Sequence, residues 1–295
     1  MKEVVVFGGS GFLGSYVVEE LARREYNVLI ADTKDPPPAL FGFEYVQCDV
    51  MNEEEVERAV SGRSIVYNFA GFANLDASID QPRETIEKNV IGTINVLEAC
   101  RNANLQRFIY ASSAYALSSK GSFYGISKFA SEKIVEEYYN RFSIPFSIVR
   151  YGSLYGERAN ADNAIYRWIT QAYREGHIVH NGNGEEIREY IHASDAATLS
   201  VNILEDEKYE NQHIVLTGVE RMKQNEILQM IQEIFNDRIT IEFTDTKFEG
   251  HYTVTPYSLD PSVARKLVLS EFMDFGQGLV EYAKHIHKTE ISEQD

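Results

Sequence analysis

Two groups of residues in this chain have the types and spacing for chemistry. Tyr124 and Lys128 stand four residues apart, so on a helix they share one face. An ammonium beside a phenol favours the phenolate, and a phenol so tuned takes or gives the proton of a hydroxyl group. Ser113, eleven residues before Tyr124, would hold the same oxygen, with Ser112 as the alternative. The second group is Gly8-Gly9-Ser10-Gly11-Phe12-Leu13-Gly14. Glycines at a strand-to-helix turn let backbone N–H groups approach a pyrophosphate, and the helix N-terminus adds partial positive charge. The run fits both Gly9-x-Gly11-x-x-Gly14 and Gly8-x-x-Gly11-x-x-Gly14, and the choice between these spacings stays open. In this order the two groups point to hydride exchange between a dinucleotide and an alcohol carbon.

The elements that must carry these groups follow from apolar patterning. Val4-Val5-Val6-Phe7 runs into the glycines and reads as a buried parallel strand. Further strands are expected at Val28–Ala31, Tyr45–Gln47, Ile65–Phe69, Phe108–Tyr110 and Phe146–Val149. Helices are expected at Phe12–Arg24, Asn52–Val60, Arg83–Asn102 and Tyr124–Arg141. Asp35-Pro36-Pro37-Pro38 cannot be helix interior and reads as a loop. Such alternation predicts an α/β fold: a doubly wound parallel sheet over residues 1–150, helices on both faces, ligands at the carboxyl ends of the strands. Ser112 and Ser113 fall at such an end. Residues 151–295 carry more loop signals, such as Asn181-Gly182-Asn183-Gly184, and read as a smaller mixed α/β lobe interleaved with the first part. The polar stretch from Lys288 to Asp295 reads as a disordered end.

Asp32 lies eighteen residues after Gly14 at the end of the second strand. A carboxylate there accepts hydrogen bonds from ribose hydroxyls and repels a 2′-phosphate, which favours NAD over NADP. Asp49 and Val50 follow the third strand and could flank the adenine, and Ala70 after the fourth allows close approach of a cofactor. Lys128 serves the cofactor as well as Tyr124. The net charge of −17 argues against a broad nucleic-acid or anionic-membrane surface. No apolar run reaches the length of a membrane span. Cys48 and Cys100 match no metal or Cys-x-x-Cys spacing and read as reduced thiols of a cytoplasmic protein. No metal site is expected.

With these residues stand Asn89-Val90-Ile91-Gly92-Thr93-Ile94-Asn95-Val96-Leu97-Glu98-Ala99-Cys100, Arg150-Tyr151 and Arg188-Glu189-Tyr190-Ile191-His192-Ala193-Ser194-Asp195. In this ordered set the chain resembles an extended short-chain dehydrogenase/reductase of the NAD-dependent sugar epimerase/dehydratase group. The resemblance implies a Rossmann domain, a C-terminal lobe binding a nucleotide-diphosphate sugar, and a homodimer joined through Arg83–Asn102 and Tyr124–Arg141. It implies that Arg188 grips the diphosphate. Ser153, where many relatives have asparagine, and Arg158 are further candidate substrate contacts, and His192 is expected to shape the lobe.

Three departures bear on the reaction. Sugar 4,6-dehydratases carry an acid pair after the catalytic threonine, whereas Ala114 and Tyr115 here are expected to do no such acid–base work. The step from Ser113 to Tyr124 is short, so part of the usual active-site wall is missing. A second arginine of the C-terminal lobe has no counterpart around Phe248-Glu249-Gly250-His251. The expected activity is an NAD-dependent nucleotide-sugar epimerase, acting at C4 through a transient keto sugar. A net nucleotide-sugar dehydrogenase or reductase is the alternative; a 4,6-dehydratase or a non-catalytic dinucleotide sensor ranks lower.

Overall fold

A computed structural model describes residues 2–244, 250–256 and 264–292. The first half alternates as the patterning requires: β1 Glu3–Phe7, α1 Phe12–Arg23, β2 Asn27–Asp32, β3 Glu44–Gln47, α2 Glu53–Val60, β4 Ile65–Asn68, α3 Leu75–Asp80 and α4 Pro82–Ile86. A π-helical stretch, Glu87–Ile91, joins α4 to α5 Gly92–Arg101, followed by β5 Arg107–Ser113, α6 Ser122–Phe142 and β6 Phe146–Tyr151. The second half holds β7 Ser153–Tyr155, α7 Ala164–Glu175, β8 His177–Asn181, β9 Ile187–Arg188, β10 Tyr190–His192, α8 Ala193–Glu205 and β11 Gln212–Leu216. It ends with β12 Met222–Lys223, α9 Gln224–Ile234, β13 Thr240–Thr244, β14 Arg265–Leu267 and α10 Phe275–Ser292.

Eight strands form one sheet in the order β14-β11-β6-β5-β4-β1-β2-β3. Every neighbouring pair in it is parallel. This is the doubly wound Rossmann-type architecture. The strand order reverses beside β1, which opens a crevice outside the carboxyl ends of β1 and β4. Strands in the middle of such a sheet bury both faces, so period-two alternation sorts apolar residues between two cores. Val4 and Val6 enter the core shared with α1 and α8, while Val5 and Phe7 enter the one shared with α2, α5 and α6.

Residues 151–295 do not form a separate body. β11 pairs with β6 and β14 with β11, so the large sheet draws two strands from the second half. The smaller lobe consists of three two-stranded sheets, β7 with β10, β9 with β12 and β8 with β13. They pack with α7, α9 and α10 around Tyr155, Trp168, Ile227, Ile231, Leu279 and Tyr282. The end of the chain, expected from Lys288 onward to be disordered, continues as helix to Ser292, and residues 293–295 lie outside the described residues. Among the described residues, no helix is long and apolar enough to cross a membrane. Cys48 and Cys100 are both buried free thiols, and burial pushes the Cys48 thiol up to about 12.

Candidate active site

The glycine-rich turn is built around backbone collisions that only glycine avoids. A Cβ on Gly14 would lie 2.1 Å from the Gly8 carbonyl oxygen, and one on Gly8 would lie 2.7 Å from Ala70 N. Gly8 also has φ +75°, the left-handed region. A Cβ on Gly9 would meet the Val6 carbonyl at 2.9 Å. Both spacings seen in the sequence are therefore structural, because Gly8, Gly9 and Gly14 each face backbone. Gly11 differs: it is the N-cap of α1, and its only close neighbour is the Gly8 oxygen at 3.2 Å. The cap makes no side-chain hydrogen bond, so the first N–H groups of α1 remain for a ligand anion.

Asp32 closes the far side of this turn. Its carboxylate accepts from Ser10 N at 3.0 Å and Lys34 N at 3.0 Å. The Ser10 hydroxyl is buried with no partner among the described residues, as is Asn68 Oδ1 at the end of β4. Asp49 accepts from Met51 N at 2.9 Å, and the buried Val50 offers its carbonyl to Asn95 Nδ2 at 2.9 Å. A crevice of bare amides, orphaned hydroxyl and carbonyl groups and a carboxylate at the end of β2 has the chemistry to hold a dinucleotide.

On the other side of β4, strand β5 delivers Ser113 and helix α6 delivers Tyr124 and Lys128. Ser113 lies beside Tyr124 and favours its phenolate. Lys128 donates to the Ala111 carbonyl at 2.9 Å, and its ammonium lies 5.9 Å from the centre of the Tyr124 ring. Burial drives the Lys128 ammonium down to about 8, against a partial restoring effect of Glu132. Burial also raises Tyr124, and Ser113 offsets part of that rise. Desolvation is the largest influence on Tyr124 in the protein alone.

Alternation along β5 separates the two serines. Ser113 faces Tyr124, whereas Ser112 donates to Glu132 at 2.5 Å inside the core. Glu132 there takes two hydrogen bonds from Arg150, at 2.8 and 2.7 Å. Ser112 is therefore part of the buried support for β5 and α6, not a wall of the cleft.

A cleft of about 570 Å³ opens between the sheet and the smaller lobe, within the usual size of a small-molecule site. Ser153, Arg188, Arg167, Tyr190, Trp168 and Tyr115 line it. Arg188 is buried, lies 4.4 Å over the Tyr252 ring and donates to the Ile187 carbonyl at 3.1 Å. Arg158 does not reach this cleft. It stacks 4.3 Å over Tyr16 and binds Ser15 and Glu19, at 3.2 and 2.5 Å, which ties the smaller lobe to α1. His192 caps α8 by accepting from Ser194 N.

Several residues here carry no local signal in sequence. Arg167 on α7 brings a second cation to the cleft, in place of the one sought near position 250; Phe248 and Glu249 lie outside the described residues. Residues 250–256 pack against the short Ser113–Tyr124 connection, and His251 among them lines the cleft. Gly250 accepts from Gly121 N at 2.7 Å, and Tyr252 packs 4.4 Å from the Tyr115 ring. Tyr115, expected to be inert as an acid or base, is joined to His251, and His251 to Asp76. Asn89, in the π-helical stretch, accepts from Phe72 N at 2.6 Å and donates to Ser127 at 2.8 Å, which fixes the loop after β4 against α6.

The family model described as NAD dependent epimerase/dehydratase family matches residues 4–217. A UDP-glucuronate 4-epimerase of Thermodesulfobacterium geofontis is 24% identical over 271 residues, covering 82% of this chain and 84% of its own. A dTDP-D-glucose 4,6-dehydratase of Mus musculus is 23% identical over 326 residues, covering 99% and 92%. Among solved structures, UDP-glucuronic acid 4-epimerase from Bacillus cereus, in complex with UDP-glucuronic acid and NAD, is similar with a TM-score of 0.83. It is 23% identical and covers 96% of this chain and 99% of its own.

Proposed function

Because the chain belongs to the NAD-dependent epimerase/dehydratase family, with NAD as its cofactor, we propose that it is a nucleotide-sugar 4-epimerase working through a transient keto sugar. The observation that carries this reading is Ser113 beside Tyr124, with Lys128 one helical turn on and pinned to the Ala111 carbonyl, at the carboxyl end of β5. NAD, when bound, supplies the acceptor of the hydride and its return. Gly8, Gly11, Phe12, Leu13 and Gly14 hold the pyrophosphate at the start of α1. Asp32 takes the adenosine ribose, Asp49 and Val50 flank the base, and Ala70 lines the channel.

Tyr124 takes the proton of the sugar hydroxyl as the carbon is oxidised and gives it back when the carbon is reduced. Ser113 holds the same oxygen and stabilises charge as it develops there. Lys128, pinned by the Ala111 carbonyl, keeps a positive charge beneath the phenol and binds the nicotinamide ribose. Arg188 and Arg167 supply the cations that a diphosphate needs on a chain of net charge −17. Ser153 faces the same cleft. Inversion then requires only that the keto sugar present its other face before the hydride returns. Two copies pair through α4–α5 and α6, a reading supported by exposed Ile91, Phe123, Ile126 and Phe129 on those helices.

The test is incubation of the purified protein with NAD and a panel of UDP-, GDP-, CDP- and dTDP-sugars. Epimerisation gives a C4-inverted product with no net change in nicotinamide absorbance. Stoichiometric accumulation of reduced nicotinamide would instead identify a dehydrogenase, and loss of water a dehydratase.

A further inference from the structure

We propose that Tyr115, His251 and Asp76 form a second proton-transfer chain, opening on the cleft and able to exchange hydrogen on the carbon beside the transient ketone. It rests on the oxidation proposed above, because a ketone is what acidifies the neighbouring C–H bond. Hydride transfer uses none of these three residues, yet all three line the same cleft.

Two hydrogen bonds connect the three groups. The Tyr115 hydroxyl lies 2.9 Å from His251 Nδ1, and His251 Nε2 lies 2.9 Å from Asp76 Oδ1. The hydrogen bond from His251 is the main cause that holds the Asp76 carboxyl below its usual range. An ionised carboxylate only accepts, so Nε2 carries a hydrogen, and in the neutral form of the ring Nδ1 is the acceptor. In that form, which the relay uses, Tyr115 donates its proton to His251 and leaves its oxygen lone pairs for a group in the cleft. The order carboxylate, imidazole, hydroxyl is the one in which an imidazole relieves a hydroxyl of its proton as that oxygen gains another.

The phenol is held in place from several sides. Its ring packs 4.4 Å from Tyr252 and meets Tyr124 edge-on at 6.3 Å. A Cβ on Gly121, which has φ +101°, would lie 2.8 Å from the Tyr115 ring. One on Gly125 would meet the Tyr115 carbonyl at 3.0 Å. Burial pushes the Tyr115 phenol upward, partly countered by the nearby Arg188 charge. A free phenolate is thereby disfavoured, so transfer has to pass through His251.

The step balances as follows. The C–H bond beside the ketone breaks and its proton goes to the Tyr115 oxygen. The Tyr115 proton moves to His251 Nδ1, and the electron pair stays on the sugar as the enolate. Asp76 holds the resulting imidazolium. The side chains of His251 and Asp76 are 28% and 48% exposed, so this proton pool equilibrates with water before the reverse step restores the C–H bond. The outcome is solvent hydrogen on that carbon, with the ketone regenerated.

The test uses the full chain loaded with NAD, in D₂O, with UDP-glucose, UDP-glucuronic acid and UDP-N-acetylglucosamine. Proton NMR reads carbon-bound deuterium beside the oxidised centre, and the same sample reads turnover at that centre. The hydride returned at the oxidised carbon is not drawn from solvent, so the two signals are independent. The wild-type protein is expected to incorporate deuterium beside the oxidised centre. Tyr115→Phe, which keeps the ring packing, lowers the ratio of exchange to turnover by at least about tenfold, as loss of a general base does. Asp76→Asn lowers it by a smaller factor. Turnover without deuterium in the wild type, or an unchanged ratio in Tyr115→Phe, overturns the proposal and leaves the oxidation intact. Absence of any turnover or nicotinamide signal with every sugar defeats the oxidation, and the exchange falls with it.

Discussion

Glu132→Ala should be among the most damaging single changes outside the cleft. Its side chain is 0% exposed and that of its partner Arg150 is 3% exposed. Its two oxygens take three hydrogen bonds: from Ser112 at 2.5 Å and from Arg150 at 2.8 and 2.7 Å. Removing one member of a buried ion pair costs about 3–5 kcal/mol, since the other charge loses its neutralising partner. The lower end applies, because Arg150 also lies 3.0 Å from His213 Nδ1. A loss of about 3 kcal/mol corresponds to a fall of roughly 5 °C in Tm for a chain of 295 residues. Differential scanning calorimetry at fixed protein concentration measures it. A second variant isolates the cause: replacing both residues with apolar ones, Glu132→Leu with Arg150→Met, removes the charge imbalance and should recover much of the loss. A Tm change under about 2 °C in Glu132→Ala, or a double variant as unstable as the single, would refute the assignment of this pair as the support of β5 and α6.

Lys128 titrates at about 8 rather than 10.5, so the folded protein releases this proton first as pH rises. Between those values the unfolded chain binds more protons, and this residue's contribution to stability therefore rises with pH across that window. Activity moves the opposite way: kcat/KM should fall above pH about 8, and Glu132→Gln, which removes a charge that raises Lys128, should shift that limb to lower pH. Asp32→Ala should weaken NAD roughly tenfold or more, the worth of a charge-assisted hydrogen bond, and weaken NADP less. Equal effects on both cofactors, by titration calorimetry, would remove its ribose role. Arg188→Leu should weaken nucleotide-sugar binding roughly 10- to 100-fold while NAD affinity holds; unchanged sugar-nucleotide affinity counts against a diphosphate contact there.

The sheet and the cradle were legible in the sequence because their causes are local. Val4–Phe7 is apolar at every position because both faces of β1 are buried, and Gly9 and Gly14 respond to collisions within a few residues, with Val6 and Gly8. Tyr124 and Lys128 are one helical turn apart, so their spacing alone puts them on one face. The return of β11 and β14 to the large sheet was not legible. Short apolar runs near the end of a chain do not say which sheet they join, and only the pairing with β6 decides it. The cleft was harder still. Tyr115 meets His251 across 136 positions and His251 meets Asp76 across 175, distances at which no spacing rule operates. Ser112 and Ser113 could not be told apart until the pleat of β5 showed which one faces Tyr124.

The central claim is that Tyr124 moves the proton when the sugar carbon is oxidised. It is tested most directly by Tyr124→Phe, with NAD binding and C4 inversion measured on the same preparation. Loss of a positioned acid–base group should slow inversion by about 10²- to 10⁴-fold, while NAD still binds at the glycine cradle and Asp32. Inversion at the wild-type rate in Tyr124→Phe would contradict the account.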